Sequence, residues 1–314
     1  MNFWEAQRRA RIRTGFYITI FILFALLIAF LIEVALRYLA KTGETPPLPY
    51  MGVLFFVMTV LIAFFYYLTF KTRGGKYVAQ SLGAKPVSRT TGQYEEQQFL
   101  NIVEEMAVAS SQPMPDVFVL ESKEINAFAA GIHADNAAIT VTRGALRLLN
   151  REELQGVIAH EFGHIYNADM KINMRLAAMV MGFMFILFLG IRILEGTILF
   201  GGRSGRRNPV ALVALVFLAA GAITWLVGAI LRSMVSRQRE YLADASAVQF
   251  TRNPRGIANA LRKIGGMKQV HDMPKSGMAY SHLYFENHSF WASLFATHPS
   301  LEKRIAAIEG NKTP

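Results

Sequence analysis

Four long apolar runs, at about 16–35, 51–70, 176–194 and 210–231, alternate with polar stretches along the chain. Each is about 20 residues long, enough for a helix to cross the hydrocarbon core of a bilayer. The pattern therefore predicts about four transmembrane helices, arranged as two hairpins. Arg8, Arg9, Arg11 and Arg13 precede the first run, and Lys71, Arg73 and Lys76 follow the second. The loop between them, "TGETPPLPY", carries little net charge. Basic residues gather on the cytoplasmic side of membrane helices, so both outer ends of this hairpin are expected there. A cleaved signal peptide is the competing reading of the first run. Its apolar core is too long for that, and no A-x-A-like site follows.

Residues 72–92 read as a polar linker. From about 93 to 170 the pattern changes to that of a soluble fold. An amphipathic helix, "EEQQFLNIVEEMAVASS", is followed by three strand-like pieces at 116–122, 125–131 and 137–144. Alternation and β-branched residues mark the outer two, with Gly, Asn and Asp between them. A further helix is predicted after Asn150, because "NREE" offers Asn150 as N-cap and Glu153 as its reciprocal partner. After the second hairpin, "SMVSRQREYLADASAVQF" reads as helical and a soluble tail follows. The implied domains are a membrane hairpin at 1–71, a first cytoplasmic part at 72–172, a second hairpin at 173–231 and a second cytoplasmic part at 232–314.

Composition agrees with membrane residence. Hydrophobic residues make up 53% of the 314 positions, charged residues 18%, and the mean hydropathy is +0.28. A net charge of +11 raises the question of nucleic acid. The basic residues crowd beside the apolar runs, however, and none of the usual nucleic-acid modules is present, so the expected partner is the lipid bilayer and no nucleic acid. Cysteine is absent, which excludes disulfides and thiolate metal sites. Any metal must be held by nitrogen and oxygen.

The helix after Asn150 carries "HEFGH", with His160, Glu161 and His164. Residues four apart share a helix face, so both imidazoles can reach one cation with Glu161 beside it. Two neutral imidazoles suit Zn²⁺, which takes three protein ligands and a water in catalytic sites. Such an ion lowers the pKa of water toward about 7, and a neighbouring carboxylate can take the proton and pass it to a leaving amine. That is peptide hydrolysis. A surface helix with locally bonded histidines is the alternative, but the apolar flanks "LQGVIA" and Ile165 imply burial, where unpaired histidines are costly. A third ligand is best sought in "EYLAD", where Glu240 and Asp244 are four apart. One carboxylate could bind the metal while the other orients an imidazole.

"HEFGH" followed by "NAD" (167–169), a hydrophobic hairpin and then "EYLAD" resembles the HtpX-like membrane zinc metalloproteases, relatives of the CAAX prenyl proteases. Upstream "NAFAAG" and downstream "THPSLEKRI" are similar to patterns of the same family. The resemblance implies a zincin-like domain joined to the membrane helices, in a mainly α-helical protein with a small β-sheet. It implies one Zn²⁺ per chain held by His160, His164 and Glu240, with Glu161 as general base and Asp244 as the supporting carboxylate. The segment Asn126, Ala127, Phe128 and Ala129 would be an edge strand along which a substrate lies; a plain core strand is the alternative. His298 resembles a family histidine near the active site that would stabilise an oxyanion; a surface residue starting a helix before Pro299 is the alternative. Ala168 stands where the family pattern often has glycine. The implied activity is a zinc endopeptidase in the bacterial inner membrane that cuts membrane proteins at a cytoplasmic site, in quality control under stress. A prenyl-protein processing protease and a non-catalytic zinc-stabilised scaffold are the rival readings.

If His164 and Glu240 share an ion, the chain between them must cross the bilayer an even number of times. Lys171, Arg175, Arg232, Arg237 and Arg239 flank the second hairpin and favour cytoplasmic ends. Arg203, Arg206 and Arg207 in its loop oppose a full crossing, and four spans remain the favoured reading. Glu33 and Arg192 sit near the ends of apolar runs, where snorkelling to the interface explains them.

Overall fold

The computed structural model describes residues 3–43, 49–200, 209–266 and 299–310. The loop with Arg203, Arg206 and Arg207 lies outside them, as does His298. The fold is mainly helical with one small sheet, as the pattern and the resemblance implied. Two compact units divide it, Met1–Tyr67 with Arg175–Arg232 and Leu68–Met174 with Ser233–Pro314.

The first unit is built from α1 (Phe3–Lys41), α2 (Met51–Ser81), α6 (Asp169–Phe200) and α7 (Pro209–Thr251). The last three also contribute to the second unit. Each of the four contains a stretch long and apolar enough to cross a membrane. Ile32, Leu36, Phe55, Ile186 and Phe217 are buried together, whereas Leu23, Phe30, Phe64 and Phe65 point outward, the arrangement a helix bundle needs in lipid. Where α6 and α7 meet, a Cβ at Gly221 would fall 2.9 Å from Leu187 N. Small residues let membrane helices approach that closely. Glu33 has a more specific task than snorkelling. Its carboxylate accepts hydrogen bonds from Tyr50 N and Gly52 N at 3.1 and 3.2 Å and pairs with Arg37 at 2.8 Å. It thereby caps the orphan donors at the start of α2. Arg192 pairs with Glu195.

The second unit centres on a four-stranded sheet in the order β1-β2-β4-β3. The strands are β1 (Lys85–Pro86), β2 (Asp116–Leu120), β3 (Ala127–Ala130) and β4 (Ala138–Thr142). β2 and β4 run parallel and the other two pairings are antiparallel. One face of the sheet sends Val117, Val119, Ile139 and Val141 into the main core, against α3 (Tyr94–Ser110) and, beyond the short α4 (Arg143–Leu148), α5 (Arg151–Tyr166). The other face buries Phe118, Leu120 and Ala138 against Ala79 and Ala84. A sheet covered on both sides reads as a nearly continuous apolar run.

That second cover corrects the reading of 72–92 as a linker. Beyond a kink at Gly74 (φ +61°) α2 resumes as far as Ser81, with Val78 and Ala79 fully buried, and Lys85–Pro86 adds an edge strand. The stretch is polar in composition, but its few apolar residues fall on one helical face.

α5 starts where the sequence predicts. The Asn150 side chain accepts from Glu153 N at 2.9 Å, and Glu153 accepts from Asn150 N at 2.8 Å. Leu154, Val157, Ile158, Phe162 and Ile165 bury it nearly all round. α8 (Pro254–Gly266) packs along it so closely that a Cβ at Gly156 would meet Ile257 N at 2.5 Å. A last helix, α9 (Leu301–Ile308), sets Leu301 into the same core.

Candidate metal centre

His160 and His164 project from one face of α5, their rings 4.8 Å apart and nearly perpendicular. Glu240 arrives from α7, which carries the chain from the last apolar run to Thr251 as one unbroken helix. Its Oε2 lies 3.5 Å from His160 Nε2 and its Oε1 lies 3.5 Å from His164 Nε2. The three ligand atoms fall within 4.8 Å of one another. A tetrahedral zinc with bonds of about 2.0–2.1 Å separates its ligands by about 3.4 Å, so this nitrogen and oxygen set fits such an ion.

Both Nδ1 atoms face carboxylates. His160 Nδ1 is 2.9 Å from Asp244 Oδ1, and His164 Nδ1 is 3.1 Å from Asp169 Oδ2. An imidazole that donates Nδ1–H to a carboxylate presents its Nε2 lone pair on the other side, where Glu240 waits. Burial opposes a positive charge on either ring. For His160, hydrogen bonds donated to Asp244 and then Glu240 outweigh it and raise the pKa above the ordinary 6.5. For His164, Asp169 and then Glu240 raise it well above that value. The surroundings thus favour a cation at these rings. Burial would also raise the pKa of Asp244, but the adjacent Arg304 guanidinium lowers it to about 2.

Asp169, Arg239 and Arg304 are parts of the site that sequence reasoning did not single out. Asp169 follows a tight turn in which Ala168 adopts φ +56°. Asn167 secures that turn by donating to Gly163 O at 2.7 Å and Ser246 Oγ at 3.2 Å. Arg239 pairs with the other oxygen of Asp169 and is only 5% exposed. It is therefore not an exposed flanking charge, which removes it from the count of basic residues beside the second hairpin. Arg304 is fully buried on α9 and clasps Asp244 with Nε and Nη2 at 2.9 and 2.7 Å. One signal existed: in "LEKRIAAI", Arg304 occupies the apolar stripe set by Leu301, Ile305 and Ile308.

Glu161 is buried, 4% exposed, one residue from His160. Ala127–Ala130 is an edge strand in the described residues, pairing only with β4, and α5 packs against it. Thr142 N donates to Asn126 O at 2.9 Å. Antiparallel alternation then directs the main-chain groups of Asn126 and Phe128 inward to β4, and those of Ala127 and Ala129 outward to the free edge.

The model of peptidase family M48 matches residues 93–312. A protease HtpX homolog of Ligilactobacillus salivarius is 40% identical over 214 residues, covering 67% of this chain and 71% of that protein. A protease HtpX homolog of Thermoanaerobacter pseudethanolicus is 38% identical over 259 residues, covering 81% and 83%. The crystal structure of S. mikatae Ste24p covers 96% of this chain and 66% of that one, at 18% identity and a TM-score of 0.48. With the family model spanning the whole of the metal-site scaffold, and four helices suited to a bilayer, the chain belongs to peptidase family M48 and is an integral membrane metalloprotease of the HtpX-like kind.

Proposed function

We propose that the protein is a zinc-dependent endopeptidase that cuts membrane or membrane-proximal polypeptides. The observation that carries this reading is the convergence of two imidazole Nε2 atoms and the Glu240 carboxylate, with a carboxylate behind each imidazole. His160, His164 and Glu240 would hold the ion and Asp244 would orient His160. Zinc at this position supplies a Lewis acid that makes water a usable nucleophile near neutral pH. Glu161 accepts the proton of the attacking water and delivers it to the departing amine. His298 is the candidate to stabilise the oxyanion.

Substrate would lie along β3 as an added strand, bound by the outward main-chain groups of Ala127 and Ala129. Asn126 and Phe128 would hold that edge in register through β4. A substrate peptide N-methylated at alternate positions tests this. Only methyl groups on the amides facing β3 should weaken binding.

Basic residues outside the first hairpin support an active site on the cytoplasmic face of a bacterial inner membrane. Removal of damaged membrane proteins is the role this arrangement suits. Glu161→Gln in detergent-purified protein tests the chemistry. It should retain zinc and lose casein cleavage by at least about 100-fold, the lower end of general-base contributions. Unchanged cleavage by that variant would refute Glu161 as the base, and a wild-type protein that never cleaves casein even with zinc restored would favour the scaffold.

A further inference from the structure

Two chains of contact run outward from the metal site. One goes from His164 Nδ1 to Asp169 and on to Arg239, the other from His160 Nδ1 to Asp244 and on to Arg304. Each imidazole thus has its own carboxylate, and each carboxylate its own buried arginine. The four outer residues are between 0% and 5% exposed. They also come from three elements: Asp169 from α6, Arg239 and Asp244 from α7, Arg304 from α9.

We propose that Arg239 and Arg304 are positioning residues that preorganise the metal site, each fixing from a distance the carboxylate that orients one ligand imidazole. This rests on the reading of His160, His164 and Glu240 as metal ligands.

Buried ion pairs are a poor source of stability, because desolvation offsets most of their attraction. Geometry is what a guanidinium supplies here. Arg304 Nε donates to Asp244 Oδ2 and its Nη2 to Oδ1, a two-point fork that fixes the carboxylate plane. Oδ1 is the oxygen that faces His160 Nδ1. The imidazole N–H then has one carboxylate acceptor in one place, and Nε2 faces Glu240 Oε2, 3.5 Å away. The third nitrogen of the same guanidinium, Nη1, lies 3.2 Å from Glu240 Oε2. One arginine therefore sets an orienting carboxylate and steadies a ligand. Arg239 does the equivalent for His164 through Asp169, and it precedes Glu240 in the chain, so a single turn of α7 delivers both.

The competing role for Arg304 is to anchor α9 and nothing more. Zinc titration of the stripped full-length protein against a chromophoric chelator separates the two. The metal dissociation constant of Arg304→Met and of Arg239→Met should rise about 10- to 100-fold, as for other residues behind metal ligands. Arg304→Lys keeps the charge but loses the fork, and should fall between Met and wild type. Arg304→Met combined with Asp244→Asn should bind no more weakly than the weaker single variant, since both act through one imidazole. Excess zinc should restore proteolysis in the Arg239 and Arg304 variants, which loss of an anchor would not allow. A folded Met variant that binds zinc as tightly as wild type overturns the proposal. If Met does not fold, wild-type affinity in Arg304→Lys overturns it. A wild-type protein that takes up no zinc removes the metal-site reading itself, and this inference with it.

Discussion

Gly163 faces Ala243 with no room for a methyl group. A Cβ at Gly163 would fall 2.9 Å from both Ala243 Cα and Ala243 O. Gly163 lies between Glu161 and His164 on α5, and Ala243 lies between Glu240 and Asp244 on α7. Their contact sets how near the two metal-site helices come. Gly163→Ala should force the helices apart, cost about 1–3 kcal/mol through overpacking, and weaken zinc binding by drawing Glu240 from the imidazoles. Thermal unfolding together with zinc titration checks this, and an unchanged affinity would show that Glu240 follows α5 regardless.

Ala168 holds a left-handed backbone conformation, φ +56°, at the turn that returns Asp169 to His164. Such a conformation costs an L-residue about 1–2 kcal/mol, and glycine adopts it freely. Ala168→Gly should therefore stabilise the fold by up to about 1 kcal/mol, less the entropy glycine adds to the unfolded chain. Ala168→Val should destabilise it. Denaturation midpoints of the two variants should move in opposite directions.

Removing the metal should reverse the protein's response to pH. Without an ion, both imidazoles in the folded state have pKa values above the unfolded value of 6.5. A group raised on folding adds stability that is complete below the unfolded pKa and is lost as pH rises through the folded one. Chelator-treated protein should thus unfold at lower temperature at pH 9 than at pH 6.5. With zinc present the protons compete for the same nitrogens, so affinity should fall on acidification, beginning above pH 6.5. Unfolding temperatures measured with and without chelator across this range check both signs.

Asp169→Asn removes the carboxylate that most raises His164. The stability difference between pH 6.5 and 9 in chelated protein should shrink, and zinc affinity at pH 8 should fall about 10- to 100-fold. Equal behaviour of the variant and the wild type would mean that Asp169 serves only its pair with Arg239.

The share of the protein legible in its sequence is the share governed by local period. Hydrophobic runs of bilayer length marked the four long apolar helices, because lipid tolerates little else. The Asn150–Glu153 box fixed the start of α5, because capping is decided within one turn. The spacing of "HEFGH" put two imidazoles on one face for the same reason.

What only tertiary structure decided was which distant charges would share one interior. In "EYLAD" the spacing offered two carboxylates for two roles, and the resemblance assigned Glu240 to the ion and Asp244 to its support. The crossing of α5 and α7 at Gly163 set Glu240 toward both Nε2 atoms and Asp244 toward an Nδ1. Arg239 read as a flanking charge beside lipid, yet it is buried against Asp169. Arg304 stood in the soluble tail with no role assigned to it, yet it is buried against Asp244. A charged residue in a sequence carries the expectation of solvent, and only a partner brought in by the fold can offset its desolvation. Such partners here stand tens of residues away, beyond the reach of any local pattern.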